Sequence, residues 1–290
     1  MKTIDLTIPL GIGTPPWPTY EPLQLKYFKR LAPNGANGQI VTHSNHVGTH
    51  LDGEIHFYTP GKDIAQLDMD FLVNDGVIVD LSDVAGNYDI YTSQMVEDRV
   101  EVKEGDILLI HTGYHHFGWD HPTADEIRYM VAHPGPDREF ADWCKAKNLR
   151  WLGVDCGSAD HPMNTIIRNW MPRQAKEAEV HFQKKYDASL EEIFDDSKYQ
   201  LMHLEMFPYG IIHAECVGGD IDLLLNQRVT IGFFPWRFVD GEASIGRCVA
   251  FVEDDRYEEL MVRKAGMSKT RFGDANDLSH VQSLDKLSGK

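Results

Sequence analysis

Four histidines and two acidic residues lie within fourteen positions, residues 43–56. In an extended chain alternate side chains share one face, so His46, His50, Asp52, Glu54 and His56 are predicted to point the same way. Two glycines in the same segment disfavour a helix. Two imidazoles and a carboxylate that converge on one point are suitable ligands for Zn²⁺ or Mn²⁺. Such a set leaves coordination positions open for water, as a catalytic site requires.

A second pair of metal-binding residue types, His203 and Glu215, stands nearer the other end of the chain. Pro208 and Gly210 lie between them and mark a turn that could bring the two side chains together. Residue types alone leave open the alternative that these are unrelated polar side chains. The pair gains weight only from the family resemblance described below.

Short runs rich in β-branched residues alternate with helical stretches, which predicts a mixed α/β protein. The opening segment, with Pro15, Pro16 and Pro18 around Trp17, predicts an extended arm over another surface. Strands of a buried sheet are predicted at Gln39–Thr42, Val77–Asp80, Ile107–His111, Trp151–Val154, Val229–Phe234 and Arg247–Val252. Helices are predicted at Ala124–Ala132, Asp137–Lys147 and Arg173–Phe194.

The segment His46-Val47-Gly48-Thr49-His50-Leu51-Asp52-Gly53-Glu54-Ile55-His56 resembles the H-x-G-T-H-x-D-x-P-x-H motif of the cyclase family of metal-dependent hydrolases. That family includes bacterial kynurenine formamidase and isatin hydrolase. Here Glu54 replaces the usual proline. Residues 4–6, 16–18, 105–113 and 153–160 are also similar to family segments, and the acids of the last are predicted to support the fold. The spacing from His203 to Glu215 is that of the family's distal ligands.

The resemblance implies a single-domain swivelling β/β/α fold with a mixed sheet core and inserted helices. We expect one domain over residues 1–290, with substrate-specific insertions near 115–147 and 169–200. The chain after about residue 265 is expected to be a polar tail. Members of the family are usually dimers or larger, so a homo-oligomer, a dimer or a tetramer, is expected.

The resemblance also implies a set of metal ligands. By position, His46, His50 and Asp52 bind one divalent ion, and Asp52 bridges to a second ion held by His203 and Glu215. One ion or two, and Mn²⁺ or Zn²⁺, remain open alternatives, because both metals accept imidazole and carboxylate ligands.

The positions of neighbouring residues relative to these ligands suggest a role for each of them. His56 is implied to be the acid/base histidine, with a side chain outside the chemistry as its alternative. Glu54 could fix the tautomer of a ligand imidazole, or could simply be solvated. Trp17, Trp170, Phe207 and Tyr209 are candidates for an apolar wall against a planar substrate, although packing in the core is the commoner fate of such residues.

The predicted function is hydrolysis of a cyclic amide, an N-formyl aryl amine or, less favoured, a lactone, by attack of a metal-activated water. The reaction class is that of hydrolases acting on C–N bonds other than peptide bonds. Two alternatives remain: a metal-dependent lyase or ring-closing cyclase, and a metal-binding family member without catalysis. Serine nucleophile chemistry is disfavoured, because the sequence has no G-x-S-x-G elbow.

The composition of the chain argues against some classes of binding partner. A formal net charge of −17 would repel a polyanion, so binding to nucleic acid or to an anionic membrane is not expected. The predicted hydrolase function implies that the partner is a small-molecule substrate. The first residues contain an acid where a signal peptide needs an apolar run, and no stretch is long and apolar enough to cross a bilayer. Four scattered cysteines form no C-x-x-C pair. A cytoplasmic location is expected.

Overall fold

The computed structural model describes residues 1–194, 199–267 and 270. Its centre is a mixed sheet, and two small two-stranded sheets lie outside it. The strands are β1 Lys2–Asp5, β2 Gln24–Lys29, β3 Gly38–Thr42, β4 His50–Asp52, β5 Val73–Asp80, β6 Ile90–Tyr91, β7 Ile107–His111, β8 Gly135–Pro136, β9 Trp151–Val154, β10 Ile212–Glu215, β11 Gln227–Pro235 and β12 Ala243–Val252.

Helices connect the strands and cover the sheet. The α-helices are α1 Leu31–Asn34, α2 Met69–Leu72, α3 Ser93–Glu97, α4 Glu126–Val131, α5 Arg138–Ala146, α6 Ile167–Trp170, α7 Pro172–Tyr186, α8 Leu190–Ile193, α9 Leu201–Met206 and α10 Asp254–Lys264. Short 3-10 helices occur at Glu54–His56, Ile64–Gln66, Tyr114–Phe117, Pro162–Asn164, Phe207–Tyr209 and Ile221–Leu223. In the part of the chain that the structure describes, no helix combines the length and hydrophobicity needed to cross a membrane.

Seven strands close into a barrel-like ring in the order β12-β11-β5-β7-β9-β10-β4, because β4 also pairs with β12. Strand β1 joins as an eighth strand on β12. Strands β5, β7, β9 and β10 are parallel to one another, whereas β11, β12 and β4 pair antiparallel with their neighbours. The mixed α/β class predicted from the sequence is therefore confirmed.

Strands β7 and β9, in the middle of the parallel part of the sheet, are buried on both faces, which is why they are almost continuously apolar. Within β7, Leu109 packs in one core cluster with Trp151 and Phe233, while Leu108 and Ile110 pack in a second cluster on the opposite face. The second cluster includes side chains from α5 and α9, so these helices cover that face of the sheet. The polar ends of the parallel strands thereby sit at one edge of a rigid core.

Five of the six predicted strands lie in the central sheet, but the prediction for Gln39–Thr42 is wrong about its position. That segment is β3, which pairs with β2 in an exposed hairpin outside the sheet. Its apolar residues, such as Ile40 and Val41, are about half exposed, so a short β-branched run here does not mark a buried strand. Strands β4 and β10 were missed because they are short and carry the polar residues His50, Asp52, His213 and Glu215.

The predicted helices are present with shifted ends. The long one splits into α7 and α8, because Asp187 adopts a left-handed conformation with φ 53° and ends α7. Residues 195–198 of the expected insertion 169–200, and most of the expected tail after residue 265, lie outside the described residues.

Candidate metal centre

The predicted ligand segment begins with a turn at Gly48. Its φ of +63° belongs to the left-handed region that glycine adopts without strain, and it turns the chain from His46 into β4. On β4, His50 and Asp52 are two residues apart and so face the same side. The hydroxyl of Thr49, just before β4, donates a 2.6 Å hydrogen bond to a backbone carbonyl beyond β10, which fixes the segment against the sheet.

Three imidazoles surround the carboxylate of Asp52, which is fully buried. His46 Nδ1 and His50 Nε2 lie 3.2 and 3.5 Å from Asp52 Oδ1. From α9, His203 Nε2 lies 3.3 Å from Asp52 Oδ2. The structure thus brings His203 next to Asp52, although the two residues are about 150 positions apart in the chain.

Glu215 completes this group from the end of β10, where it stands opposite His50 in the β4–β10 pairing. Its Oε2 lies 3.6 Å from His50 Nε2, and its Oε1 lies 3.7 Å from His203 Nε2. Oε1 also accepts hydrogen bonds from the Ser158 hydroxyl (3.1 Å) and the Ala159 amide (2.7 Å). The carboxylate is therefore held in place from one side and faces the imidazoles with the other.

The donor atoms fit a divalent metal. Within residues 1–194, 199–267 and 270, His50 Nε2 and Asp52 Oδ1 are buried without a hydrogen-bond partner. His50 Nδ1 donates to the Gly48 carbonyl at 2.8 Å, which leaves the Nε2 lone pair for a cation. Separations of 3.2–3.7 Å between donor atoms match ligands about 2.0–2.2 Å from a shared ion.

The electrostatics of the group also favour a bound cation. Burial raises the pKa of Glu215, and the charge on Asp52 raises it further, to about 7. Burial lowers the pKa of His46 and His203, but the neighbouring carboxylates outweigh it and raise both to about 10. Burial lowers the pKa of His50 to about 4, so this imidazole is neutral and ready to bind a metal.

Two carboxylates outside this group orient its histidines. Asp160 Oδ2 accepts a 2.5 Å hydrogen bond from His203 Nδ1, and its Oδ1 accepts from the Met202 amide at 2.7 Å. Glu242 Oε2 lies 2.7 Å from His46 Nε2 and 3.1 Å from His56 Nδ1. Carboxylates in such positions fix the ring orientation of metal-binding histidines.

Glu54 does not make the contact with a ligand imidazole that the sequence left open. Residues Glu54–His56 form a 3-10 helix, so the predicted extended face ends after Asp52. Glu54 Oε2 accepts from the Lys62 amide at 2.9 Å instead, and Glu242 makes the imidazole contact. His56 still reaches the group, with its ring 4.3 Å from that of His46.

A cavity of about 350 Å³ opens onto the group. The Trp17 amide donates to the His46 carbonyl at 2.9 Å, so the proline-rich arm lies along the ligand segment, as an extended arm should. Trp17 stands edge-on to Trp170 of α6, with ring centroids 6.1 Å apart. The residues lining the cavity are Trp17, Tyr20, His46, His56, Phe57, Ile166, Trp170, Gln200, His203 and Glu215.

The other two aromatic candidates do not line this cavity. Phe207 is fully buried beneath it and packs against the rings of His203 and His213. Tyr209 is 67% exposed and its ring faces Lys145 on α5. The turn at Pro208 and Gly210 brings His203 and Glu215 together but directs these two rings elsewhere.

Sequence reasoning missed His213 and Glu242. His213 precedes Glu215 by two residues on β10 and so shares its face, a signal that strand periodicity could have provided. It is fully buried and groups with Asp52, His203 and Glu215 as a candidate ligand. Glu242 follows the turn after β11, and nothing local in the sequence connects it with a histidine 196 residues away.

Comparisons with known proteins agree with this geometry. The family model described as "Putative cyclase" matches residues 4–161, more than half of the chain. Kynurenine formamidase of Bacillus cereus is 29% identical over 164 residues, which are 55% of this chain and 72% of the relative. The kynurenine formamidase of Bacillus cytotoxicus is 30% identical over 158 residues, 54% of this chain and 69% of that relative.

Among solved structures, isatin hydrolase A from Ralstonia solanacearum has a TM-score of 0.67 at 19% identity, covering 87% of this chain and 92% of its own. The likeness in fold therefore covers most of the chain. The matched family segment also contains the complete run of residues from His46 to His56. The chain belongs to the cyclase family of metal-dependent hydrolases.

Proposed function

We propose that this protein is a metal-dependent hydrolase that cleaves a cyclic amide or an N-formyl aryl amine, with a lactone as the less favoured substrate. The observation that carries the proposal is a pair of buried atoms without a hydrogen-bond partner, His50 Nε2 and Asp52 Oδ1. They belong to the group whose other members His46, His203 and Glu215 line the cavity. The relatives named kynurenine formamidase support hydrolysis of a C–N bond outside a peptide.

The proposed ligands are His46, His50 and Asp52 for one ion, with Asp52 bridging to a second ion held by His203 and Glu215. Nitrogen and oxygen donors without thiolate suit Mn²⁺ and Zn²⁺, and we propose one or two such ions per subunit. A divalent cation supplies a Lewis acid for the carbonyl oxygen and acidifies a water.

His56 is proposed as the acid/base residue that transfers a proton to the leaving nitrogen. It lines the cavity, and its side chain is 15% exposed, so a substrate can reach it. Glu242 holds Nδ1 at 3.1 Å, which leaves Nε2 as the atom that exchanges the proton. A general acid in this position typically contributes a factor of about 10²–10⁴ in rate.

Substrate selectivity is proposed to come from the cavity wall. Trp17 and Trp170 flank its entrance and present flat apolar surface to a planar ring. Trp170 and Gln200 belong to the proposed insertion 169–200, which supports a role for that segment in specificity. The segment 115–147 contributes none of the lining residues in the described part of the chain, so we propose specificity for the later insertion alone.

We further propose the swivelling β/β/α fold for the barrel-like sheet, within one domain over residues 1–290. A homo-oligomer, a dimer or a tetramer, is supported by the exposed apolar side chains of the β2–β3 hairpin, including Phe28, Ile40 and Val41. A cytoplasmic location is supported by four buried cysteines in the thiol form.

The test combines metal analysis with turnover in the full-length protein. Metal content and hydrolysis of formyl anilides, isatin-like cyclic amides and lactones are measured for the wild type, His50→Ala and His203→Ala. His181→Ala is the matched control, because His181 is a partly exposed histidine that pairs with Asp89 away from the centre. We expect both ligand variants to contain less metal than the wild type and to lose turnover, and the control to match the wild type in both.

A fourth variant separates metal binding from proton transfer. His56→Gln is expected to keep its metal and to lose about 10²–10⁴-fold in kcat on whichever substrate is cleaved. A wild-type protein that stays inert on the whole panel after addition of Zn²⁺ or Mn²⁺ would overturn the hydrolase proposal. Formation of a ring-closed or eliminated product would instead identify the lyase or cyclase alternative.

A further inference from the structure

A second group of histidines and acids lies at the same edge of the sheet, apart from the centre described above. His111 is the last residue of β7, and His115 and His116 follow on the 3-10 helix Tyr114–Phe117. Asp222 lies on the 3-10 helix Ile221–Leu223. None of these four residues is a proposed ligand of the first centre, and none lines its cavity.

Three imidazole nitrogens converge on the carboxylate of Asp222. His111 Nε2 lies 3.1 Å from Oδ1. His115 Nε2 and His116 Nε2 lie 3.4 and 2.8 Å from Oδ2. The distances are about those between neighbouring ligands in a tetrahedral site whose ligands bind at about 2.0–2.2 Å.

The two buried histidines are oriented as metal-binding histidines usually are. His111 Nδ1 is 2.8 Å from Asp80 Oδ1, and His115 Nδ1 is 3.2 Å from Asp155 Oδ2. Asp155 is itself held by the Thr112 amide and hydroxyl, at 2.9 and 2.6 Å. With Nδ1 of each ring donating to a carboxylate, each Nε2 presents a lone pair to Asp222.

These lone pairs have no partner of their own. Among the residues that the structure describes, His111 Nε2 and His115 Nε2 make no hydrogen bond, although His111 is only 2% exposed and His115 is not exposed at all. A lone pair facing a carboxylate in a buried site is unfavourable unless a positive charge lies between them. The charge is either a proton on each imidazole or a cation shared by all of them.

A shared cation explains more of the geometry than protons do. A proton on each ring would favour a linear hydrogen bond from each Nε2 to Asp222, but only His116 has hydrogen-bond geometry to it. Three imidazole nitrogens around one carboxylate are instead what a shared ion requires, and His115, His116 and Asp222 place their donor atoms within 4.8 Å of one another. His116 and Asp222 have side chains 42% and 20% exposed, so an ion can enter from solvent.

We propose that His111, His115, His116 and Asp222 form a second divalent-metal site, suited to Zn²⁺. Three nitrogens and one oxygen complete a tetrahedral coordination sphere without a position for substrate, so the site is structural. It fastens the 3-10 helix after β7 to the one after β10. The proposal does not depend on the proposed hydrolase activity.

The test is a Zn²⁺ and Co²⁺ titration of full-length variants. His50→Ala removes a proposed ligand of the first centre and leaves the second group intact. We expect His50→Ala to bind an ion whose affinity falls at least tenfold when His116→Gln or Asp222→Asn is added. His116 is well exposed, so its replacement leaves the fold intact, and Co²⁺ bound in His50→Ala should show the visible absorption of tetrahedral coordination.

His121→Gln is the matched control, because His121 stacks near His115 and His116 but has its Nε2 3.9 Å from Asp120. The double variant His50→Ala/His121→Gln should retain the ion. Zn²⁺ should also raise the unfolding temperature of His50→Ala but not that of His50→Ala/His116→Gln. Unchanged affinity in His50→Ala/His116→Gln and His50→Ala/Asp222→Asn would overturn the proposal, as would a His50→Ala protein that binds no Zn²⁺. Either result would identify the group as a protonated histidine–aspartate network.

Discussion

Replacement of Asp160 by asparagine tests whether the hydrogen bond to His203 prepares that ring for a metal. Asp160 Oδ2 accepts from His203 Nδ1 while its Oδ1 accepts from the Met202 amide. An asparagine that keeps its oxygen on the Met202 amide turns its NH₂ group toward His203 Nδ1. The imidazole must then move its proton to Nε2, the atom that lies 3.3 Å from Asp52, and it loses the lone pair needed for a metal.

The expected loss of metal affinity follows from comparable hydrogen bonds to metal-binding histidines in other proteins. Loss of the orienting partner of a metal-binding histidine costs about 10–100-fold in metal affinity. That factor corresponds to about 1.4–2.8 kcal/mol of binding free energy. The hydrogen bond itself involves a charged group and is buried, so its loss also lowers the free energy of unfolding by about 1.5–3 kcal/mol.

Asp89→Asn separates the two effects. Asp89 is also buried and accepts hydrogen bonds from His181 at 2.7 Å and the Gly86 amide at 2.8 Å, but it lies outside the centre. Both variants should lose stability, measured by denaturant unfolding. Only Asp160→Asn should lower the affinity for the ion that His50→Ala no longer binds. This affinity is measured by competition with a chelator. Equal metal affinity in Asp160→Asn and Asp89→Asn would refute the reasoning.

Three further outcomes are expected. Protons occupy Glu215 up to about pH 7 and the imidazoles of His46 and His203 up to about pH 10, so a bound ion must displace one proton from each protonated ligand that it binds. Metal affinity should therefore rise at least about tenfold per pH unit between pH 6 and 8, and a pH-independent affinity would contradict this. Trp170→Ala should raise KM with little change in kcat, whereas Tyr209→Ala, on a ring outside the cavity, should change neither; equal steady-state kinetics would exclude Trp170 from substrate binding. Gly76→Ala would put its Cβ 2.3 Å from a backbone carbonyl oxygen of β7, so thermal or denaturant unfolding should show a loss of about 1–3 kcal/mol. Gly86→Ala, with only a 3.5 Å contact, should stay within about 0.5 kcal/mol of the wild type, and an equally stable Gly76→Ala would contradict the close packing of β5 on β7.

The long apolar strands could be predicted from sequence because both of their faces are buried. The run Ile107–His111 matches β7 residue for residue, and Trp151–Val154 matches β9. The same rule fails for β3, where apolar side chains such as Ile40 are exposed on a hairpin. Periodicity indicates which residues are apolar on one face, but only the tertiary structure decides whether another element covers that face.

The proposed ligands between His46 and Asp52 could be predicted because their residue types are unusual and closely spaced, whereas His203 and Glu215 were predicted only from the family resemblance. The residues from His46 to Asp52 are consecutive on one turn and one short strand, so local geometry alone brings them together. Glu242 and Asp160 contact the ligands through tertiary packing, and no spacing in the sequence relates them to His46 or His203. The direction of the rings of Phe207 and Tyr209 likewise depends on packing after a turn, which residue type does not encode.

The polar residues at the ends of the parallel strands account for the position of both groups of histidines and acids. Strands β5, β7 and β10 end in Asp80, His111 and Glu215, and Asp155 directly follows β9. Because the carboxyl ends of parallel strands meet at one edge of a sheet, apolar runs that each finish in a charged or titratable residue place those residues side by side. Adjacent ends then divide between two sites: Asp80, His111 and Asp155 around Asp222, and Glu215 with the residues of β4. Position along the sheet edge, rather than distance in the sequence, therefore determines which acid contacts which group of histidines.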